Sequence, residues 1–73
     1  MDLDQFYKKL SLRIKYFRKI KKLTQEKLAE KADISLDYMG KIERNINKPG
    51  LISILKIINA LDISISEFFK SFS

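Results

Sequence analysis

The stretch "KADISLDYMGKIE", Lys31 to Glu43, decides the fold. A helical rhythm of apolar residues runs into it, stops at Asp33-Ile34-Ser35, and resumes. Upstream, a short helix is expected over about Gln25 to Ala32. Thr24 is its N-cap, Gln25 and Glu26 fill its first turn, and Leu28, Ala29 and Ala32 face inward. Downstream, Ser35 is the cap of a helix running to about Arg44, with Met39 and Ile42 inward. Asp33 falls where the first of these helices must turn off. That position favours a left-handed backbone, which Asp tolerates better than most residues, though less well than Gly. Ala29 must be small if the two helices are to approach closely near a right angle. This is helix-turn-helix geometry. It sends the N-terminal turn of the second helix outward, and the projecting residues are Leu36, Asp37, Tyr38, Gly40 and Lys41. A leucine, an acid and a tyrosine that serve no core are placed to meet a partner.

The rest of the chain reads as helix on both sides of this unit. Leu3, Phe6, Tyr7, Leu10, Ile14 and Phe17 recur at helical spacing, so a first helix is expected over about Leu3 to Lys21. Leu12 and Tyr16 lie off its stripe. Asn45-Ile46-Asn47-Lys48-Pro49-Gly50 carries the strongest turn signal. A fourth helix, about Leu51 to Leu61, is expected to bury Leu51, Ile54, Leu55, Ile58 and Leu61. Ser64 and Glu67 form a capping box that opens a short fifth helix through Phe68 and Phe69. The expected fold is all-α: one compact five-helix domain over residues 1–73, with its helix-turn-helix at about 25–44.

Composition narrows the function. A chain of 73 residues is one small domain, and its core alone is marginal. The absence of cysteine and histidine removes thiolate and imidazole metal ligands and the commonest general base. No Gly-rich phosphate loop or nucleophile elbow is present. No enzyme, metal or cofactor is therefore expected. No apolar run nears the ~18 residues of a membrane span, and Asp2 and Asp4 are wrong for a signal peptide. A cytoplasmic protein is the expectation. The net charge is +6, and it is unevenly placed. From Gln5 through Gln25 there is no acid, whereas Lys8, Lys9, Arg13, Lys15, Arg18, Lys19, Lys21 and Lys22 are all basic. Two readings stand: a solvated helix face, or a surface for a polyanion. A membrane surface is the weaker form of the second, because the apolar stripe of the first helix is needed for the core.

With these elements in place, "RIKYFRKIKKLTQEKLAEKADISLDYMGKIERNINKPGLISILKIINALDISISEFF" resembles the helix-turn-helix domain of phage Cro and repressor-type transcription regulators, a lambda-repressor-like DNA-binding domain. The resemblance covers about Leu10 to Phe69. Its size and layout are similar to those of restriction–modification controller proteins and short phage repressors. It implies a sequence-specific regulator of transcription that binds double-stranded DNA. Gln25, with Thr24 and the helix N-terminus they begin, aligns with the family's grip on a backbone phosphate, and a helix N-terminus suits an anion on its own account. Arg18 aligns with an arginine that pairs with the glutamate matched by Glu43 and also faces phosphate; a purely structural ion pair is the other reading. Tyr38, Arg44, Asn47 and Lys48 fall at backbone-contacting positions. Leu36, Asp37, Gly40 and Lys41 map onto the base-reading positions. Leu36 can meet a thymine methyl, Asp37 can accept from cytosine, and Lys41 can donate to guanine. Gly40 reads nothing and lets backbone approach DNA. Asp37 has a second reading, as an acid complementing the helix dipole. Asp33 and Asp62 both stand where the family has Gly, each before an Ile-Ser, which suggests one turn used twice.

One such domain makes few base contacts, so a two-fold dimer on two half-sites is expected. Ile52, Ile65, Phe68, Phe69 and Phe72 look surplus to a five-helix core and would form its interface, within a dimerisation region at about 51–73. The other reading is that Phe68 plugs the core and Phe72 frays. The competing class of function is an antitoxin-like module whose aromatic C-terminal patch covers a protein partner.

Overall fold

The computed structural model describes residues 2–72, and every regular element among them is helical. The order is α1 (Leu3–Ile20), α2 (Gln25–Ala32), α3 (Leu36–Glu43), α4 (Leu51–Ala60) and α5 (Ile65–Phe68). Four of the five starts are fixed by a side chain. Asp2, Thr24, Ser35 and Ser64 each accept a hydrogen bond from the backbone N–H three residues on. At α4 the cap is Gly50, with no side-chain bond.

Three joints share one construction. Lys22, Asp33 and Asp62 are left-handed, at φ 58°, 57° and 58°. Each is followed by a half-buried aliphatic residue (Leu23, Ile34 or Ile63) and then by a capping Thr or Ser. At the first two joints the aliphatic residue's N–H returns to the preceding helix: Leu23 donates to the Arg18 carbonyl and Ile34 to that of Ala29, both at 3.0 Å.

The core is shared by all five helices: Leu10, Ile14 and Phe17 of α1, Leu28, Ala29 and Ala32 of α2, Met39 and Ile42 of α3, Ile54, Ile57 and Ile58 of α4, and Phe68 of α5. Leu61 and Phe72 complete it. Several expectations are corrected. Leu51 is 70% exposed and Leu55 is also exposed, while Ile57, not counted as inward, is fully buried. The inward stripe of α4 is therefore 54/57/58/61, one helical step round from the expected one. Leu3 is exposed, because the first turn of α1 extends past the core. Phe68 and Phe72, expected at a subunit interface, lie in the chain's own core. There Phe68 packs against Phe17, Phe69 and Phe72, with ring centroids 5.0–6.3 Å apart.

Two bonds close the C-terminal segment over α1. Arg13 Nη1 donates to the Phe68 carbonyl at 2.8 Å and Lys9 Nζ to that of Phe72 at 3.2 Å. At the opposite side the Tyr7 hydroxyl donates to the Pro49 carbonyl at 3.0 Å, tying the loop after α3 to α1.

Candidate nucleic-acid interface

The left-handed turn at Asp33 lets α3 leave α2 at a steep angle, and Ser35 then fixes its first turn. Leu36 is 47% exposed and Asp37 is exposed, as the sequence leads one to expect. Lys41, one turn on, is half-exposed and reaches back to Asp37, with Nζ 3.1 Å from the carboxylate. The reading lysine and the lone acid are thus one i,i+4 pair on the outer face of α3. Tyr38 is half-buried, and its hydroxyl donates to Ser53 Oγ at 3.3 Å, bracing α3 against α4.

Behind this edge lies a network that the sequence only partly shows. Glu43 and Arg18 form a bidentate pair: Arg18 Nε donates to Oε2 at 2.7 Å and Nη2 to Oε1 at 3.0 Å. The Glu43 side chain is 1% exposed and that of Arg18 13%. A buried carboxylate this close to a guanidinium needs that partner to stay charged. Arg18 also donates through Nη1 to the Leu23 carbonyl at 2.9 Å, so its donors hold the joint between α1 and α2. The structural reading of Arg18 is the one the geometry favours. Glu43 accepts a third bond, from Gln25 Nε2 at 3.0 Å. That bond was not foreseen. Its signal was present, since Glu43 shares the inward face of α3 with Met39 and Ile42 and a buried acid attracts every nearby donor.

The consequence is a fixed Gln25 at the open end of α2. The Thr24 hydroxyl takes the Lys27 N–H and the Thr24 carbonyl that of Leu28. The Gln25 and Glu26 N–H groups have no acceptor among the described residues and point along the positive end of the helix dipole. Gly40 does not project as expected. It is buried beside Gln25 and Arg44. Arg44, the C-cap residue of α3, is exposed and has no ion pair among the described residues. Asn47 is exposed in the loop, its N–H bonded to the Lys41 carbonyl at 3.2 Å. Lys48 is held by Asp4 at 2.9 Å. That hydrogen bond, and then the charge of Asp4, raises the lysine's pKa above its ordinary value. Of the expected interface residues, Ile52 and Ile65 are exposed, at 72% and 55%, and Phe69 is half-buried against Phe6. No group of side chains among the described residues could hold a metal ion, and no described helix is long and apolar enough to cross a membrane.

Comparison with known proteins follows the same outline. The family model "Helix-turn-helix" matches residues 14–68. The immunity repressor protein of Bacillus phage phi105 is 46% identical over 54 residues, which are 74% of this chain and 38% of the repressor. The HTH-type transcriptional regulator SinR of Bacillus subtilis (strain 168) is 41% identical over 54 residues, 73% of this chain and 49% of SinR. The chain thus spans half or less of the curated relatives it matches. The crystal structure of the wild-type restriction–modification controller protein C.Esp1396I superimposes with a TM-score of 0.88 at 33% identity, over 96% of this chain and 90% of that one. The tetramer of the same controller protein, in complex with its natural 35 base-pair operator, gives a TM-score of 0.87.

Proposed function

Because this chain belongs to the helix-turn-helix family, we propose that it is a sequence-specific regulator of transcription that binds double-stranded DNA as a homodimer. One observation carries the reading: the leading edge of α3 stands clear of the core beside the uncapped N–H groups of α2, in a chain of net charge +6. The relatives carry the names of regulators and a repressor, not of enzymes. The controller protein on its operator supplies the model for the complex, and its length matches this chain far better than the longer repressors do. A controller or phage-type repressor acting in the cytoplasm is the form we favour.

In this reading Leu36, Asp37 and Lys41 meet base edges in the major groove. Thr24, Gln25, Tyr38, Arg44, Asn47 and Lys48 lie along the backbone. Arg18 acts by holding Glu43, and through it Gln25. The residues exposed along α4 and at the start of α5, Leu51, Ile52, Leu55 and Ile65, supply the subunit interface, which shifts its centre from the aromatic tail to α4. The longest dimension of the domain is 31 Å. Two copies side by side bring equivalent points to about the ~34–36 Å of one DNA turn.

The test is selection of bound sequences from a random DNA pool, followed by titration against salt. We expect one enriched two-fold sequence, and affinity that falls about 10³–10⁵-fold between 50 and 200 mM salt for ~6–10 phosphate contacts. Lys41→Ala should flatten the base preference at one position of each half-site, whereas Gln25→Ala should weaken all sequences alike. Ile52→Lys should give a monomer by sedimentation. An unenriched pool sinks the proposal. Co-purification of a non-identical chain seated on the α4 patch would favour the protein-binding module instead.

A further inference from the structure

Gly40 occupies a position that the family resemblance assigns to base reading, yet it lies buried in the middle of α3. A methyl group built on its Cα would come within 3.3 Å of Arg44 Nη1 and 3.7 Å of Gln25 Oε1. The nearest neighbours of the missing side chain are therefore the ends of two other side chains, one from the N-terminus of α2 and one from the C-cap of α3. Resting on the Earlier proposal that this face binds DNA, we infer that Gly40 is a positioning residue: its bare backbone is a seat that lets the Arg44 guanidinium lie beside Gln25, so that both close on one backbone phosphate.

Three features support the seat. Gln25 cannot swing away, because Glu43 holds its Nε2, and Glu43 is itself held twice by Arg18. One Gln25 amide N–H remains for an outside acceptor, next to the free N–H groups of Gln25 and Glu26. Arg44 is exposed, and no ion pair competes for it among the described residues. Its neighbour in the reading face, Lys41, is in contrast already paired with Asp37. A guanidinium offers donors in a fixed fork, so its placement within about an ångström decides whether it meets a phosphate with two bonds or none. Glycine in a helix interior costs about 1 kcal/mol against alanine, and here the cost secures space for that fork.

The experiment fills the seat. Gly40→Leu replaces a poor helix former with a good one, and the side chain displaces Arg44 outright; Gly40→Ala asks Arg44 to move only a few tenths of an ångström. Each variant, in the full chain, is titrated with the DNA sequence selected by the wild type, across a salt series, and melted by circular dichroism. The expected result for Gly40→Leu is an unchanged or higher melting temperature, with affinity reduced about tenfold and a salt slope shallower by about one. Base preference should be unchanged, and Gly40→Ala should fall between. In an Arg44→Ala background, Gly40→Leu should cost nothing more. Wild-type affinity and salt slope in a folded Gly40→Leu protein would overturn the seat while leaving DNA binding intact. An additive loss in the Arg44→Ala background would overturn it too, by showing that position 40 acts without Arg44. Absence of salt-dependent binding by the wild type would overturn both this inference and the functional reading beneath it.

Discussion

The joints at Asp33 and Asp62 are built alike and lead to opposite ends. Both place an aspartate in the left-handed region, follow it with a half-buried isoleucine, and cap the next helix with a serine hydroxyl. After Asp33 the chain makes an eight-residue helix whose first turn is exposed. After Asp62 it makes a four-residue helix whose last residue, Phe68, is wholly buried. The turn itself does not decide which element faces out. What decides is where the first large apolar residues fall after the cap. In α3 they are Met39 and Ile42, so the opening turn is left free; in α5 Phe68 and Phe69 pull the helix in almost at once. A shared local geometry thus supports one surface for a partner and one lid for the core.

The largest break in this comparison is expected from Phe68→Ala. Deleting a fully buried ring costs about 3–5 kcal/mol, which is most of what a domain of this size has. Urea unfolding should show a midpoint near zero denaturant. Leu36→Ala, at the matching helix start, should leave stability within about 0.5 kcal/mol. Equal losses for the two would mean that α3 is packed like α5 and has no free edge. A smaller effect sharpens the likeness of the joints. Asp33→Gly and Asp62→Gly each relieve a left-handed non-glycine residue, and each should raise stability by about 0.5–1 kcal/mol, the unfolded chain's gain in freedom offsetting part of the relief. The double variant should show the sum. The smallest effect is expected at the exposed Lys48–Asp4 pair. Asp4→Asn should shift the melting temperature by less than a degree or two, and not at all in molar salt.

Much of this was legible from residue order. The caps at Thr24, Ser35 and Ser64 mark the helix starts because a hydroxyl there has one local use. The left-handed Asp33 follows from the need to turn between two short apolar faces. Helix α4 resisted reading, since six of its first eight residues are apolar, and a nearly uniform helix does not show which stripe it buries. Leu51 and Leu55 were therefore assigned inward, and Ile57 was missed. The aromatic tail misled for a related reason. Three phenylalanines in close succession look like surplus, and only the tertiary packing against Phe17 shows that two of them close the core. On the candidate site, exposure at Leu36 and Asp37 was readable. The burial of Gly40, and the triad of Arg18, Glu43 and Gln25, depend on how α1, α2 and α3 cross.

The bond from the Tyr7 hydroxyl to the Pro49 carbonyl has a mechanical meaning. The start of α1 moors the loop that leaves α3, while Arg18, near the far end of the same helix, moors Glu43 within it. A rod lashed to one spar at two points cannot tilt alone. The domain therefore meets its target as a stiff body, with little ordering left to do on contact, and adaptation to an imperfect sequence falls to the DNA rather than to the protein.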